Sequence, residues 1–432
     1  MSGETRPLGF ASATSVVVGM VVGIGIFLTP AELVRSLGSS GWVLVMWLVT
    51  GFMAFAGALA YGELSSRFPE AGGPYVYLRE AFGQRVAFLY GWKCLLVMDP
   101  GLTAAIATGL SSYFSYLVPL SARGEYGFAV AGIAVLAGLT ALGTRLAAGP
   151  LVGLTLLKLA ALLAIVSWGI LSGAGDPARL FPLFHRPAGS DSLMGALAGG
   201  FVSAFFSFGG WWEASKIAGE VRNPTRSLPL AFAAGVALVT LLYLSISIVF
   251  LTIVPIEQAA SASAFAGIVG ERLFGLAGGR ILTAIVLVSG FGTLAAFLLA
   301  APRLYLALAE DGLFPRALAR RHPTLGTPVR AIGIQAALAI LLVTLGTFGE
   351  ILVYFMFVTV LFIAASVGAL WVLPAPEPPF QRFPFARAGG GVFLALAGVL
   401  LLVLLLGRPV PALSGAAVVA LGALVYETLK KR

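Results

Sequence analysis

Charge is scarce in this chain. Only 10% of its 432 residues are Asp, Glu, Lys or Arg, against about 25% in soluble globular domains. With 59% hydrophobic residues, this excludes a soluble domain and implies a polytopic helical membrane protein. Cysteine is nearly absent: Cys94 stands alone, so no internal disulfide can form. Asn223 is the sole asparagine, and Pro224 after it spoils the glycosylation sequon. The two histidines, His185 and His322, lie far apart, and no metal-ligand cluster or paired-acid motif appears. Neither a cofactor nor a resident metal is expected, and an enzyme is excluded. Gly23-Ile24-Gly25 is not a nucleotide loop, because no strand precedes it and no Lys-Ser or Lys-Thr follows. The net charge of +9 is dispersed over loops, with no basic run punctuated by aromatics. Such dispersion argues membrane topology and no nucleic acid partner.

What is present is apolar sequence in long runs. A helix crossing hydrocarbon needs about 20 apolar residues. By that measure the chain is expected to cross the bilayer twelve times, at 9–36, 41–64, 85–118, 127–145, 147–172, 194–220, 229–254, 278–309, 329–347, 350–373, 390–407 and 410–427. The first run is too long for a signal-peptide core and lacks a cleavage site, so it reads as a retained span. Gly73–Phe82 and the amphipathic Ala264–Phe274 read as short helices lying in the membrane plane. Twelve spans put both termini on one side. Arg and Lys are concentrated in the loops of that side, for example Arg222, Arg226, Arg316, Arg320 and Arg321. The positive-inside rule then places both termini in the cytoplasm.

Two of these spans carry glycine pairs at mid-depth: Val21-Val22-Gly23-Ile24-Gly25-Ile26-Phe27 in the first, and Phe205-Phe206-Ser207-Phe208-Gly209-Gly210-Trp211-Trp212 in the sixth. Each helical glycine costs about 1 kcal/mol relative to alanine. A break at this depth exposes peptide groups that survive only against protein, water or a ligand. Open N–H groups at the start of a half-helix suit a carboxylate, and open carbonyls suit an ammonium. An amino acid carries both. The plainer alternative is a pair of ordinary helix-packing glycines. Against it stands the spacing: the broken spans are the first members of two groups of five, and an odd group size inverts the second group. Interrupted spans at matching places in inverted halves point to a transporter's midplane site. The expected organisation is a first five-helix repeat at 1–173, a second, inverted repeat at 194–375, and helices 11 and 12 with a cytoplasmic tail at 388–432.

The motifs sharpen this. Gly23-Ile24-Gly25-Ile26-Phe27, Pro69-Glu70-Ala71-Gly72-Gly73-Pro74-Tyr75-Val76-Tyr77, Phe206–Trp211 with Glu220 to Pro229, and Arg303 to Pro315 occur in this order. Together they resemble permeases of the amino acid–polyamine–organocation superfamily, nearest to its bacterial L-amino acid transporter branch. The resemblance implies an all-α membrane protein with a five-plus-five inverted repeat, discontinuous helices 1 and 6, and two extra C-terminal helices. It implies a substrate carboxylate on the N–H groups of Gly23, Ile24 and Gly25. It places the ammonium on carbonyls of Val21 and Phe206, with Ser207 or Gly209 nearby and Phe206 closing over the substrate. Many relatives are polar where Ile24 stands and have Asn where Trp212 stands. Both departures make the pocket less polar, and Trp212 shrinks it, which favours a small neutral amino acid.

Ionisable residues inside spans need a partner or a function. By resemblance Lys158, in the fifth span, occupies the sodium position of sodium-coupled cousins. It would reach carbonyls near Val22 and Gly23 and a hydroxyl, Ser289 or Thr293. A fixed cation there favours sodium-independent exchange or facilitated transport by alternating access. The alternatives are a proton-coupled symporter using Lys158 or Asp99, and an amino-acid-binding membrane subunit or sensor that moves nothing. Asp99 has a poor partner in Lys93, which is expected to snorkel to the cytoplasmic boundary. Eukaryotic relatives join a glycoprotein by a disulfide from the loop after helix 3. Leu120–Tyr126 has no cysteine, so no disulfide-linked partner is expected. The expected location is a bacterial plasma (inner) membrane.

Overall fold

Glycine and proline punctuation divides the apolar sequence into the observed helices. A computed structural model describes residues 8–68, 73–143, 151–186, 192–375 and 382–430. The helices are α1 Phe10–Val21, α2 Gly25–Leu37, α3 Ser40–Arg67, α4 Pro74–Phe82, α5 Gln84–Leu117, α6 Ala122–Leu142, α7 Leu151–Leu171, α8 Leu193–Ser207, α9 Pro224–Ile253, α10 Ile256–Ser261, α11 Phe265–Glu310, α12 Val329–Leu345, α13 Phe348–Val372, α14 Ala386–Gly407 and α15 Pro409–Lys430. Among the described residues there is no strand; a single parallel bridge joins Leu8 to Val221.

Among the described residues eight helices are long and apolar enough to cross a membrane, α1 and α2 form a ninth span bent by 51°, and three shorter apolar helices fall in α7, α8 and α12. Together they match the twelve expected spans, so the chain is an all-α, multi-pass membrane protein. Some boundaries differ. Residues 144–150, on which the fourth and fifth spans were expected to meet, lie outside the described residues. The sixth span was expected to be helical to residue 220, but α8 stops at Ser207 and the chain resumes as a 3₁₀ segment, Glu213–Glu220. The amphipathic stretch and the eighth span join end to end in α11 across Gly275, at φ 74°. The short α10 was not anticipated. A π-turn, Cys94–Met98, interrupts α5 just before Asp99-Pro100.

Caps fix several ends. Ser39, Ser121 and Ser192 accept backbone N–H bonds at the starts of α3, α6 and α8. Thr347 and Glu350 form a reciprocal capping box on α13. Two sequence motifs meet where Tyr75 of α4 donates to Asp311 at 3.1 Å. Burial and the Asp311 charge raise that phenol above its usual pKa.

The packing has an internal order. In span numbers, the first packs on the seventh through α1 and α9, as the sixth packs on the second through α8 and α3. The third meets the ninth as the eighth meets the fourth, and the fifth meets the eighth as the tenth meets the third. The pairs 2–7, 3–8, 4–9 and 1–6 are also in contact. Exchanging each span for the one five places later maps these pairs onto one another. α14 lies against α3, α8 and α13, and α15 against α13 and α5, outside this scheme.

Candidate substrate site at two broken helices

At the end of α1 the chain turns sharply. Val22 adopts φ −72° and ψ 72°, and the Gly23 N–H bonds back to the Val21 carbonyl at 2.7 Å, an inverse γ-turn. Helix α2 then restarts at Gly25. The N–H groups of Ile24, Gly25 and Ile26 have no acceptor among the described residues. This corrects one expectation: Gly23 does not offer its N–H, because the turn itself consumes it. The open donors are shifted one residue onward, to the true start of α2.

The second break lies alongside. Past Ser207, the Gly209 N–H bonds to the Phe206 carbonyl at 2.9 Å, and Gly210 sits at φ 111°. The glycines are required by proximity. A Cβ on Gly25 would lie 2.8 Å from the Ser207 Cα, and one on Gly210 would collide with the Met20 carbonyl oxygen. Backbones of the first and sixth spans therefore touch at both breaks. Thr29, one turn beyond Gly25, bonds Ser207 Oγ at 2.5 Å and donates to the Gly25 carbonyl at 3.0 Å. Tyr243 of α9 is fully buried, and its hydroxyl lies 3.1 Å from the Val21 carbonyl and 3.0 Å from the Ser207 carbonyl.

These contacts change the carbonyl arrangement too. A carbonyl has two lone pairs. Those of Val21 meet Gly23 N–H and Tyr243, and the Phe206 carbonyl takes the N–H groups of Phe208 and Gly209. Each of the two carbonyls expected to take an ammonium already has two donors, so an ammonium has to displace one of them at either.

A cavity of about 90 Å³ lies between the breaks. Val21, Gly23, Ile24, Gly25, Phe206, Ser207, Gly209, Trp212 and Thr293 line it, joined by Met98, Phe297, Phe355 and Thr359. Trp212 does reach the pocket, stacked at 6.0 Å on Phe205. The cavity is far below the roughly 300–1,000 Å³ of drug-sized ligand pockets. Glu213, which from sequence alone reads as a structural partner of Lys216 three residues on, is its one ionisable lining residue among those described. The Phe206 ring is held edge-on by Phe348 and Phe355 of α13, at 6.2 and 6.1 Å.

The remaining predicted residues separate. Lys158 is buried and makes no hydrogen bond or ion pair among the described residues. The implied bridge to Val22, Gly23 and Ser289 is not formed: Thr293 spends its proton on the Ser289 carbonyl at 3.0 Å, and the buried Ser289 hydroxyl has no partner among the described residues. Asp99 does not line the cavity. Its neighbour Met98 does, while the Asp99 carboxylate takes the hydroxyl of Tyr305, on α11, at 2.5 Å. Lys93 does not snorkel. It is 2% exposed, with its ammonium 2.9 Å from Met98 Sδ and 4.7 Å from the Tyr90 ring centroid. Soft and aromatic partners make burial tolerable without a boundary. Among the described residues no group of three or more His, Cys, Asp or Glu could hold a metal ion.

Sequence reasoning missed Tyr243 and Thr29. A tyrosine set among Leu241, Leu242 and Leu244 inside an apolar span was a signal for the first. Replacing Tyr243 with Phe removes the one hydroxyl proton that the Val21 and Ser207 carbonyls share, and a buried acceptor left unsatisfied costs about 1–3 kcal/mol. We expect Tyr243→Phe to weaken amino acid affinity by about tenfold or more, measured as half-saturation of transport, with the fold intact by size-exclusion chromatography.

Known proteins resemble the chain over nearly all its length. The family model described as amino acid permease matches residues 8–422. The large neutral amino acids transporter small subunit 2 of Homo sapiens is 29% identical over 438 aligned residues, covering 98% of this chain and 80% of the relative. The cystine/glutamate transporter of Homo sapiens is 28% identical, covering 88% and 76%. The serine/threonine exchanger SteT of Bacillus subtilis (strain 168) is 27% identical, covering 93% and 92%.

Proposed function

This chain belongs to the amino acid permease family, and we propose that it exchanges small neutral L-amino acids without sodium, by alternating access. The observation that carries the reading is the adjacency of the two breaks. Unpaired N–H groups of Ile24 and Gly25 stand beside Phe206 and Ser207 across one small cavity. That arrangement is complementary to a zwitterion: peptide dipoles take the charges, and the apolar wall of Met98, Phe297 and Phe355 takes a short side chain. The likeness to a serine/threonine exchanger supports the small-substrate reading. The test is uptake of a radiolabelled amino acid panel into proteoliposomes. Uptake of small neutral members that needs internal amino acid and ignores sodium is expected. Uptake that needs a sodium gradient contradicts the reading.

The two repeats are 1–173 and 194–375, with 388–432 outside them; the span pairs that map onto one another under the five-span exchange support this division. The chain sits in a bacterial plasma membrane with both termini cytoplasmic, as the loop charge implies. Cys94 is buried within α5, away from the loop after it, and offers no tether for a disulfide-linked partner.

Rocking needs a body that moves as one. Leu8 N–H bonds the Glu220 carbonyl at 3.0 Å, and Arg222 N–H bonds the Leu8 carbonyl at 2.8 Å. This bridge straps the start of α1 to the end of the sixth span, so both halves move together. The paired substitutions Leu8→Cys and Val221→Cys, oxidised to a disulfide, are expected to leave exchange near the parental rate. Loss of exchange on oxidation, restored by reduction, would show that the two part during the cycle.

Proton coupling through Lys158 is the second reading, favoured by its burial without a described partner. Accumulation driven by an imposed pH gradient would select it.

A further inference from the structure

A second cavity, of about 220 Å³, lies on the far side of the membrane, where the first span ends at Leu37. It is distinct from the central one, yet the same helices wall both. On α8, Val202 and Ser203 face this distal pocket, and Phe206 and Ser207, one turn on, face the central cavity. On α13, Gly349, Glu350 and Val353 face the distal pocket, and Phe355, Met356 and Thr359 the central one. The Phe206 ring, clamped by Phe348 and Phe355, stands at the partition.

Charge of both signs lines the distal pocket, whereas Glu213 is the one charged group among the described residues lining the central cavity. Its lining includes two carboxylates, Glu32 and Glu350, and one guanidinium, Arg408, from the turn between α14 and α15. Its walls are cut back. A Cβ on Gly199 would lie 2.7 Å from Ser36 Oγ, and one on Gly349 would lie 3.0 Å from Glu32 Oε1. The charged groups already have company: Glu32 pairs with Arg35, Glu350 caps α13, and Arg408 lies within reach of the Glu350 charge. A zwitterion brings one charge of each sign and can exchange these contacts for its own without changing the net charge of the pocket. An acidic amino acid would add to the carboxylate excess.

We propose that the distal pocket is a second station for the transported amino acid, Arg408 taking its carboxylate and Glu32 with Glu350 its ammonium, before it passes Phe206. The proposal rests on the function proposed above. It also gives α14 and α15 a task outside the repeats, that of carrying Arg408 to the mouth of the pathway.

The test uses full-length protein in proteoliposomes of determined orientation and radiolabelled L-serine. Half-saturation is measured from each side with the opposite side saturated. Arg408→Gln is expected to raise the distal half-saturation about tenfold and leave the proximal value and the maximal rate unchanged, with Arg408→Lys recovering part of the loss. Should Arg408→Gln fail to fold, Glu32→Gln carries the same expectation. An equal rise on both sides, or none on either, overturns the distal station while exchange itself survives. A parent protein that exchanges no amino acid at all would instead overturn the function on which the station depends.

Discussion

Gly25→Leu is expected to abolish amino acid binding, and the reason is backbone geometry. Any Cβ at residue 25 falls 2.8 Å from the Ser207 Cα, nearer than real Cβ contacts allow. The neighbour is backbone and cannot swing aside. A leucine pushes α2 from the end of α8 and fills the space in front of the Ile24, Gly25 and Ile26 N–H groups. Hydrogen bonds to a charged group contribute about 1.5–3 kcal/mol each. Losing two therefore weakens binding by roughly 100-fold or more. A scintillation proximity measurement on detergent-purified protein, checked for a single symmetric elution peak, reads this directly. Affinity within a few-fold of the parent would mean that the substrate binds elsewhere.

Lys158→Ala is expected to separate binding from movement. Lys158 lies on α7, which packs against α9 and α11, and it does not line the central cavity. Removing it leaves the amide donors and the carbonyls untouched, so affinity should hold. A buried ammonium is costly unless a partner or a function compensates. Ser289, whose buried hydroxyl on α11 has no partner among the described residues, would provide a polar group for Lys158 at a different stage of the proposed cycle. Exchange by Lys158→Ala should fall about tenfold or more if that contact contributes a charge-assisted bond to the barrier. Parental exchange rates would remove Lys158 from the mechanism; loss of binding and exchange together would make it a structural residue.

The breaks were legible because their cause is local. Two glycines per span weaken the helix wherever they stand, and Gly25 and Gly210 occupy positions that admit no Cβ. Span positions were legible for a similar reason, since apolar length alone sets them. The outcome within each break was not. Which N–H remains open depends on whether the turn at Val22 closes on itself, a choice of dihedral angles that composition does not encode. The 3₁₀ form of Glu213–Glu220 was hidden in the same way. Long-range partners were harder still. Asp99 finds Tyr305 across 206 positions of sequence, and Tyr243 reaches both breaks from a helix that carries neither. Lys93 misled because a lysine near a span end ordinarily snorkels. Here Met98 and Tyr90 provide an interior seat for it. The distal pocket was invisible because its charges come from α2, α13 and the turn before α15, which no spacing rule connects.

Peptide groups at two helix breaks are proposed to hold both ends of a zwitterion, and competition against radiolabelled L-serine on the purified protein tests this most directly. The competitors are L-serine, its methyl ester and its deaminated analogue. L-serine is predicted to compete. The ester, which lacks the carboxylate charge, and the analogue, which lacks the ammonium, are each predicted to be weaker by about tenfold or more. Equal competition by all three would contradict a grip on both charges.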